Sequence, residues 1–162
     1  MKKVILILYI IILSLVLKFT LAIGPRKYNY IFTKSSNLIS ENINNIYLGT
    51  ILDKGNLEKT KNVEKFDYYL DDNSLLFTTK KHNDKIVGIT IEQNVLNSTS
   101  KGIRIGSNIK DVIDMYGKNY YRRIEQGIDI IGYIDKKNYI TIEFGICDDL
   151  VRFIILNYSN IE

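Results

Sequence analysis

This sequence predicts an α+β fold, a tandem repeat of a helix plus a three-stranded antiparallel sheet behind an N-terminal hydrophobic helix. Three observations carry that expectation. The chain opens on a nearly unbroken apolar run, and most of the remainder alternates apolar and polar residues at a period of two. One segment, 109–116, instead shows an apolar face at helical spacing and precedes three alternating segments. Composition agrees: 12 Tyr, many Ile and one Ala favour strands over helices. With 162 residues, 46% hydrophobic and 25% charged, the chain can bury a core and is not a disordered polymer.

Residues 1–24 read as a signal peptide or membrane anchor. Lys2 and Lys3 give a positive start, and Val4 to Leu17 is broken only by Tyr9 and Ser14. Thr20-Leu21-Ala22 offers small residues at the positions a signal peptidase reads, so removal after Ala22 is one outcome. Retention is the other. Val4 to Gly24 as a helix would extend about 31 Å, enough to cross a bilayer, with Lys18 reaching towards the outer headgroups. In both cases the positive start predicts an extracytoplasmic chain, either secreted or held at the membrane through residues 1–24. No Cys lies near Ala22, which excludes lipid attachment at a lipobox.

Net charge misleads until it is divided. Of the +4, Lys2, Lys3 and Lys18 supply three, and from Pro25 onward 19 basic side chains face 18 acidic ones. A nucleic-acid partner needs a basic stripe on the folded part, and none is legible, so no nucleic acid is expected. The lone Cys147 has no internal disulfide partner, and the lone His82 cannot anchor a multi-histidine metal site.

Beyond the leader, residues 25–45, rich in Ser, Asn and Lys, read as a tether that orders only near Leu38, Ile39 and Ile43. The first repeat is expected over 46–94, a linker over 95–101 and the second repeat over 102–162. In the first, Ile51 to Val63 holds at most a short or frayed helix, interrupted by Gly55. Phe66, Tyr68 and Leu70 then begin a strand, Asp71-Asp72-Asn73 turn it, Leu75, Phe77 and Thr79 continue, and Val87, Ile89 and Ile91 close the unit.

In the second repeat Ser107 is the expected N-cap, and Ile109, Val112, Ile113 and Tyr116 form the apolar helical face ended by Gly117. Ile128, Ile130, Gly132 and Ile134 are expected to face the core from one strand. Ile140, Ile142 and Phe144 form one face of the next, and Val151, Phe153 and Ile155 one face of the last. Ile46-Tyr47-Leu48-Gly49-Thr50 aligns with Ile103-Arg104-Ile105-Gly106-Ser107, which suggests the doubling.

The segment Gly102-Ile103-Arg104-Ile105-Gly106-Ser107-Asn108 through Gly117, followed by three alternating strands, resembles bacterial exported domains of the outer-membrane assembly lipoprotein (SmpA/OmlA) type. The doubling is similar to the β-lactamase inhibitor protein architecture. That resemblance implies a non-catalytic binding scaffold in the bacterial envelope.

Enzymatic chemistry has little support in the residues. No glycine-rich phosphate loop precedes a helix, and Asp71-Asp72 and Asp148-Asp149 sit at turns, where Asp is favoured for its backbone hydrogen bonds. No catalytic residue, cofactor or metal is therefore expected. Binding has more: Tyr116, Tyr120, Tyr121, Arg122 and Arg123 cluster where helix hands over to sheet, and Tyr133 and Tyr139 flank one hairpin turn. Tyr and Arg are the residues that anchor protein interfaces. These seven are the expected contacts to a protein or peptide of the envelope. The alternatives are an envelope hydrolase using Asp148, Asp149 or Glu143, and a structural envelope component whose tether is the functional part.

Overall fold

A computed structural model describes residues 5–14, 25–63 and 65–159. The chain divides into two units, Met1–Phe32 and Thr33–Glu162. In the first, residues 5–14 are helical (α1) with exposed side chains, and Pro25–Phe32 form α2, where Tyr28 and Phe32 bring their ring centroids to 4.6 Å. The structure describes only part of the segment expected as a leader, because Lys2, Lys3, Lys18 and Ala22 lie outside the described residues. No helix among the described residues is long and apolar enough to cross a membrane.

The second unit corrects the predicted fold class. It is not a tandem repeat of helix plus three-stranded sheet. It is a single eight-stranded antiparallel sheet carrying one helix of regular length. The strands are β1 (Glu58–Asn62), β2 (Phe66–Leu70), β3 (Leu75–Lys80), β4 (Ile86–Ile91), β5 (Tyr121–Glu125), β6 (Ile128–Asp135), β7 (Ile140–Cys147) and β8 (Leu150–Tyr158). The helix α3 (Ile109–Tyr116) falls between β4 and β5. Spatial order is β1-β2-β3-β4-β8-β7-β6-β5, so two four-stranded meanders meet at their last strands, with Ile89 opposite Leu156 at the seam.

Each meander has one strand more than alternation revealed, and both extra strands are edges. Where a frayed helix was expected, Glu58-Lys59-Thr60-Lys61-Asn62 pairs with β2 instead. A strand with no apolar face cannot be read by period, yet charge on an exposed edge is what discourages pairing with another chain. At the other edge Tyr121-Arg122-Arg123-Ile124-Glu125 pairs with β6.

The core lies on one face of this sheet. Phe77, Ile89, Ile91, Ile131, Tyr133, Ile142, Phe144, Ile154 and Leu156 point into it, and Leu38, Ile43, Leu52, Ile103, Val112 and Tyr116 close it from the loops and α3. Three bulges interrupt the pairing; one leaves Thr60 unpaired in β1, and the other two reset the alternation of the core strands. Thr78 opposes Gly88 but Thr79 opposes Ile86, and Gly145 opposes Phe153 but Ile146 opposes Val151, so Val87 and Arg152 are the extra residues. The bulge at Arg152 puts Val151 with Ile154 and Leu156 in the core and turns Phe153 and Ile155 to the other side, against the expected grouping of Val151, Phe153 and Ile155.

α3 is capped by Asn108 rather than Ser107. The Asn108 side chain accepts from the Lys110 N–H at 2.9 Å while its own N–H donates to Asp111 at 3.2 Å. Gly117 ends the helix at φ +87° and ψ −170°, its N–H donating to the Ile113 carbonyl at 2.8 Å.

The segments expected as tether and linker hydrogen-bond to each other and to the sheet. Leu38 N–H donates to Asp135 at 2.9 Å and Ser36 N–H to the Ile134 carbonyl at 2.8 Å. Asn44 N–H donates to the Ser98 carbonyl at 3.1 Å, and buried Glu41 accepts from the Ser100 hydroxyl at 2.6 Å. Residues 33–45 are thereby fixed to the second unit, with Leu38 and Ile43 in the core.

Candidate functional site

The sheet face opposite the core is laid out by the pairing register. One row across it runs Leu70, Leu76, Thr90, Ile155, Glu143, Gly132 and Tyr121, and a second runs Phe153, Gly145, Ile130 and Arg123. Leu70, Leu76, Thr90, Phe153 and Ile155 are half-buried, and the buried residues of α3 and the loops belong to the opposite face.

Two glycines shape this surface. A Cβ at Gly132 would run into the Tyr121 ring, and a Cβ at Gly145 would run into the Phe153 ring. Each aromatic therefore lies flat over a strand that offers it no side chain, the close approach for which an isolated strand glycine is the sequence sign. Tyr121 is tied down further, because its hydroxyl donates to Glu143. Arg123 grips the same carboxylate with Nη2 at 3.1 Å from both oxygens and also pairs with Glu125.

Both members of the Arg123–Glu143 pair are largely desolvated, each side chain 13% exposed. Such a pair holds its geometry because losing either partner leaves a buried charge uncompensated. Burial, reinforced by the Glu143 charge, pushes the Tyr121 phenol up, so it stays a donor. Burial opposes the charge on Arg123, but Glu125 and Glu143 outweigh it and raise its pKa.

The seven expected contact residues separate into distinct places. Tyr121 and Arg123 lie together on the face just described. Tyr133 is 0% exposed on the core side, its hydroxyl donating to the Gly117 carbonyl at 2.9 Å. Tyr116 is buried under α3 with its ring centroid 5.2 Å from those of both Tyr133 and Phe144, and Tyr120 reaches Tyr133 at 6.0 Å. Burial pushes the Tyr116 and Tyr133 phenols up, with Glu41 adding to the first and Tyr120 to the second. Arg122 is exposed on the edge strand and pairs with Asp129 at 2.7 Å, and Tyr139 is exposed in the β6–β7 turn at φ +56°.

Alternation placed Ile130 and Ile134 in the core and Tyr133 outside, and the structure reverses the strand. β6 is apolar at both phases, so the period could not choose; the side that accommodates the Tyr121 ring is the side with Gly132. Sequence reasoning missed Phe153, Glu143, Gly132 and Gly145 as parts of one surface.

The carboxylates of the hydrolase alternative lie apart in role. Asp148 and Asp149 are exposed at φ +53° and +59° in the β7–β8 turn, and Glu143 is held by Tyr121 and Arg123. Asp71 accepts from the N–H groups of Asn73 at 2.9 Å and Leu75 at 2.7 Å. Among the described residues no three or more His, Cys, Asp and Glu side chains group to hold a metal ion. Cys147 is exposed, its Sγ 3.6 Å from Asp148.

Searches against protein-family models, curated proteins and solved structures return no match to this chain.

Proposed function

We infer that the chain is an exported or membrane-held, non-catalytic binding module of the bacterial envelope that meets a protein or peptide through the sheet face opposite the core. The observation that carries this reading is the preset surface around Tyr121, Phe153 and Arg123. Two rings lie flat over Gly132 and Gly145, and a desolvated ion pair fixes the charged group beside them. Rigid aromatics and an immobilised Arg lose little side-chain entropy on contact, which is why such groups dominate interface energetics. The positive start and apolar run of residues 1–24 support the location, and the exposed apolar side chains of α1 agree with it.

The reading is tested by cross-linking the full chain in intact cells and isolating it with whatever is attached. Ile155→Asp, in the middle of the face, should abolish a partner band that the edge-strand variant Lys59→Asp retains. Equal recovery from both variants, or no band from the unaltered chain, contradicts it.

A further inference from the structure

At one end of the sheet, where β3 stops, β4 starts and β8 stops, a cleft of about 340 Å³ opens between two turns. Lys80, Asn83 and Lys85 line it from the β3–β4 turn, Asn138 and Tyr139 from the β6–β7 turn, and Tyr158 from β8 over Gly49. It is separate from the face described above.

Three features make this a built concavity. Gly49 stands at φ +85°, and a Cβ there would come within 3.0 Å of the Tyr158 hydroxyl, so the floor is shaped around that phenol. Tyr139 takes a left-handed conformation, φ +56°, that ordinarily favours Gly or Asn, and its carbonyl accepts from the Ser159 N–H at 2.7 Å. In the β3–β4 turn His82 and Asp84, on either side of the lining residue Asn83, are also left-handed, at φ +64° and +43°. Backbone held in such conformations in both turns that supply lining residues is the kind of local cost found at ligand sites.

The charge is one-sided. No acid is among the residues that line it, and Asp84 and Asp135 in the two turns are engaged elsewhere: Asp84 pairs with Lys54, and Asp135 accepts from Leu38, Lys137 and Asn138. Neither the Lys80 nor the Lys85 ammonium, nor the Tyr139 or Tyr158 hydroxyl, has a hydrogen-bond or ion-pair partner among the described residues. Unpaired cations call for an anion, two phenols and two amides suit a hydroxyl-rich body, and a flat ring offers a stacking surface to a saturated ring.

We propose that this cleft binds an anionic sugar, its carboxylate or phosphate seated by Lys80 and Lys85 and its ring against Tyr139 and Tyr158. The anion supplies the attraction and the phenols supply selection for the ring. The site stands independently of the sheet-face reading.

The test is calorimetric titration of the full chain in neutral detergent with glucuronate, glucose 6-phosphate, glucose and inorganic phosphate. Binding of glucuronate or glucose 6-phosphate that exceeds that of glucose and of inorganic phosphate at least tenfold, and weakens with added salt, is expected. Lys80→Ala with Lys85→Ala should weaken it at least tenfold. Tyr139→Gly relieves the left-handed strain, so it keeps the fold while removing the ring, and should weaken sugar binding severalfold. The proposal is overturned if neither charged sugar binds, if inorganic phosphate binds as tightly as glucose 6-phosphate, or if the double lysine variant binds as before.

Discussion

Tyr121 lies across Gly132 on the neighbouring strand, its ring filling the space a β-carbon would need and its hydroxyl reaching on to Glu143 one strand further. Three strands are thereby clamped by one side chain. The same relation recurs between Phe153 and Gly145.

Replacing Gly132 with Ala should therefore cost about 1–3 kcal/mol of stability, the scale of overpacking in a filled site. In a Tyr121→Ala background the same substitution should cost much less, because the clash has been removed. Urea unfolding of the four chains measures this as a double-mutant cycle. Additive costs would show that the ring does not sit where described.

At Gly117, by contrast, nothing beyond its chain neighbours and its own helix lies within 4 Å of where a Cβ would be. Its φ of +87° with ψ near −170° is a region only glycine enters without cost. Gly117→Ala should lose about 1–3 kcal/mol through backbone strain alone, read by thermal unfolding. An unchanged transition would contradict the α3 termination.

Tyr133→Phe removes a hydroxyl whose acceptor is the Gly117 carbonyl at 2.9 Å, and should cost about 1 kcal/mol. Partner recovery should be unchanged, because Tyr133 is buried on the core side. Loss of the partner with an intact fold would return Tyr133 to the contact surface.

Asp135 is buried and has its pKa lowered; burial opposes the charge, but hydrogen bonds from Asn138, Leu38 and Lys137 outweigh that. Its folded value thus lies below the unfolded one, near 3.9. The stability it contributes is complete above the unfolded value and is lost as pH falls through the folded value. Asp135→Asn should cost about 1–3 kcal/mol at pH 7 and flatten the acid limb of the stability curve below about pH 4, measured by urea midpoints. An acid limb identical in both chains would show that Asp135 does not clamp residues 36–38.

What the sequence made legible was what periodicity carries. Ile140, Ile142 and Phe144 face the core as their alternation indicated, and Val112 and Tyr116 turn inward from α3. β1 was illegible because Glu58-Lys59-Thr60-Lys61-Asn62 is polar on both faces. β6 was ambiguous because Ile131 and Tyr133 compete with Ile130 and Ile134, and β8 was misphased because the bulge at Arg152 has no local sequence mark. Of the contact residues, Tyr121 and Arg123 came together as a pair. Tyr116, Tyr120 and Tyr133 went to the core, where their rings pack on one another and a single carbonyl serves the Tyr133 hydroxyl. The glycines beneath the two rings were the available signal for the rest.

Labelling single cysteines in living cells with a membrane-impermeant maleimide addresses export and contact together. The native Cys147, exposed in its turn, should react in intact cells, whereas a Thr78→Cys thiol, in phase with Leu76 on the sheet face opposite the core, in a Cys147→Ser background, should be shielded there and react once purified. Reaction of Cys147 only after lysis, or equal labelling of position 78 in cells and in isolation, would contradict the account.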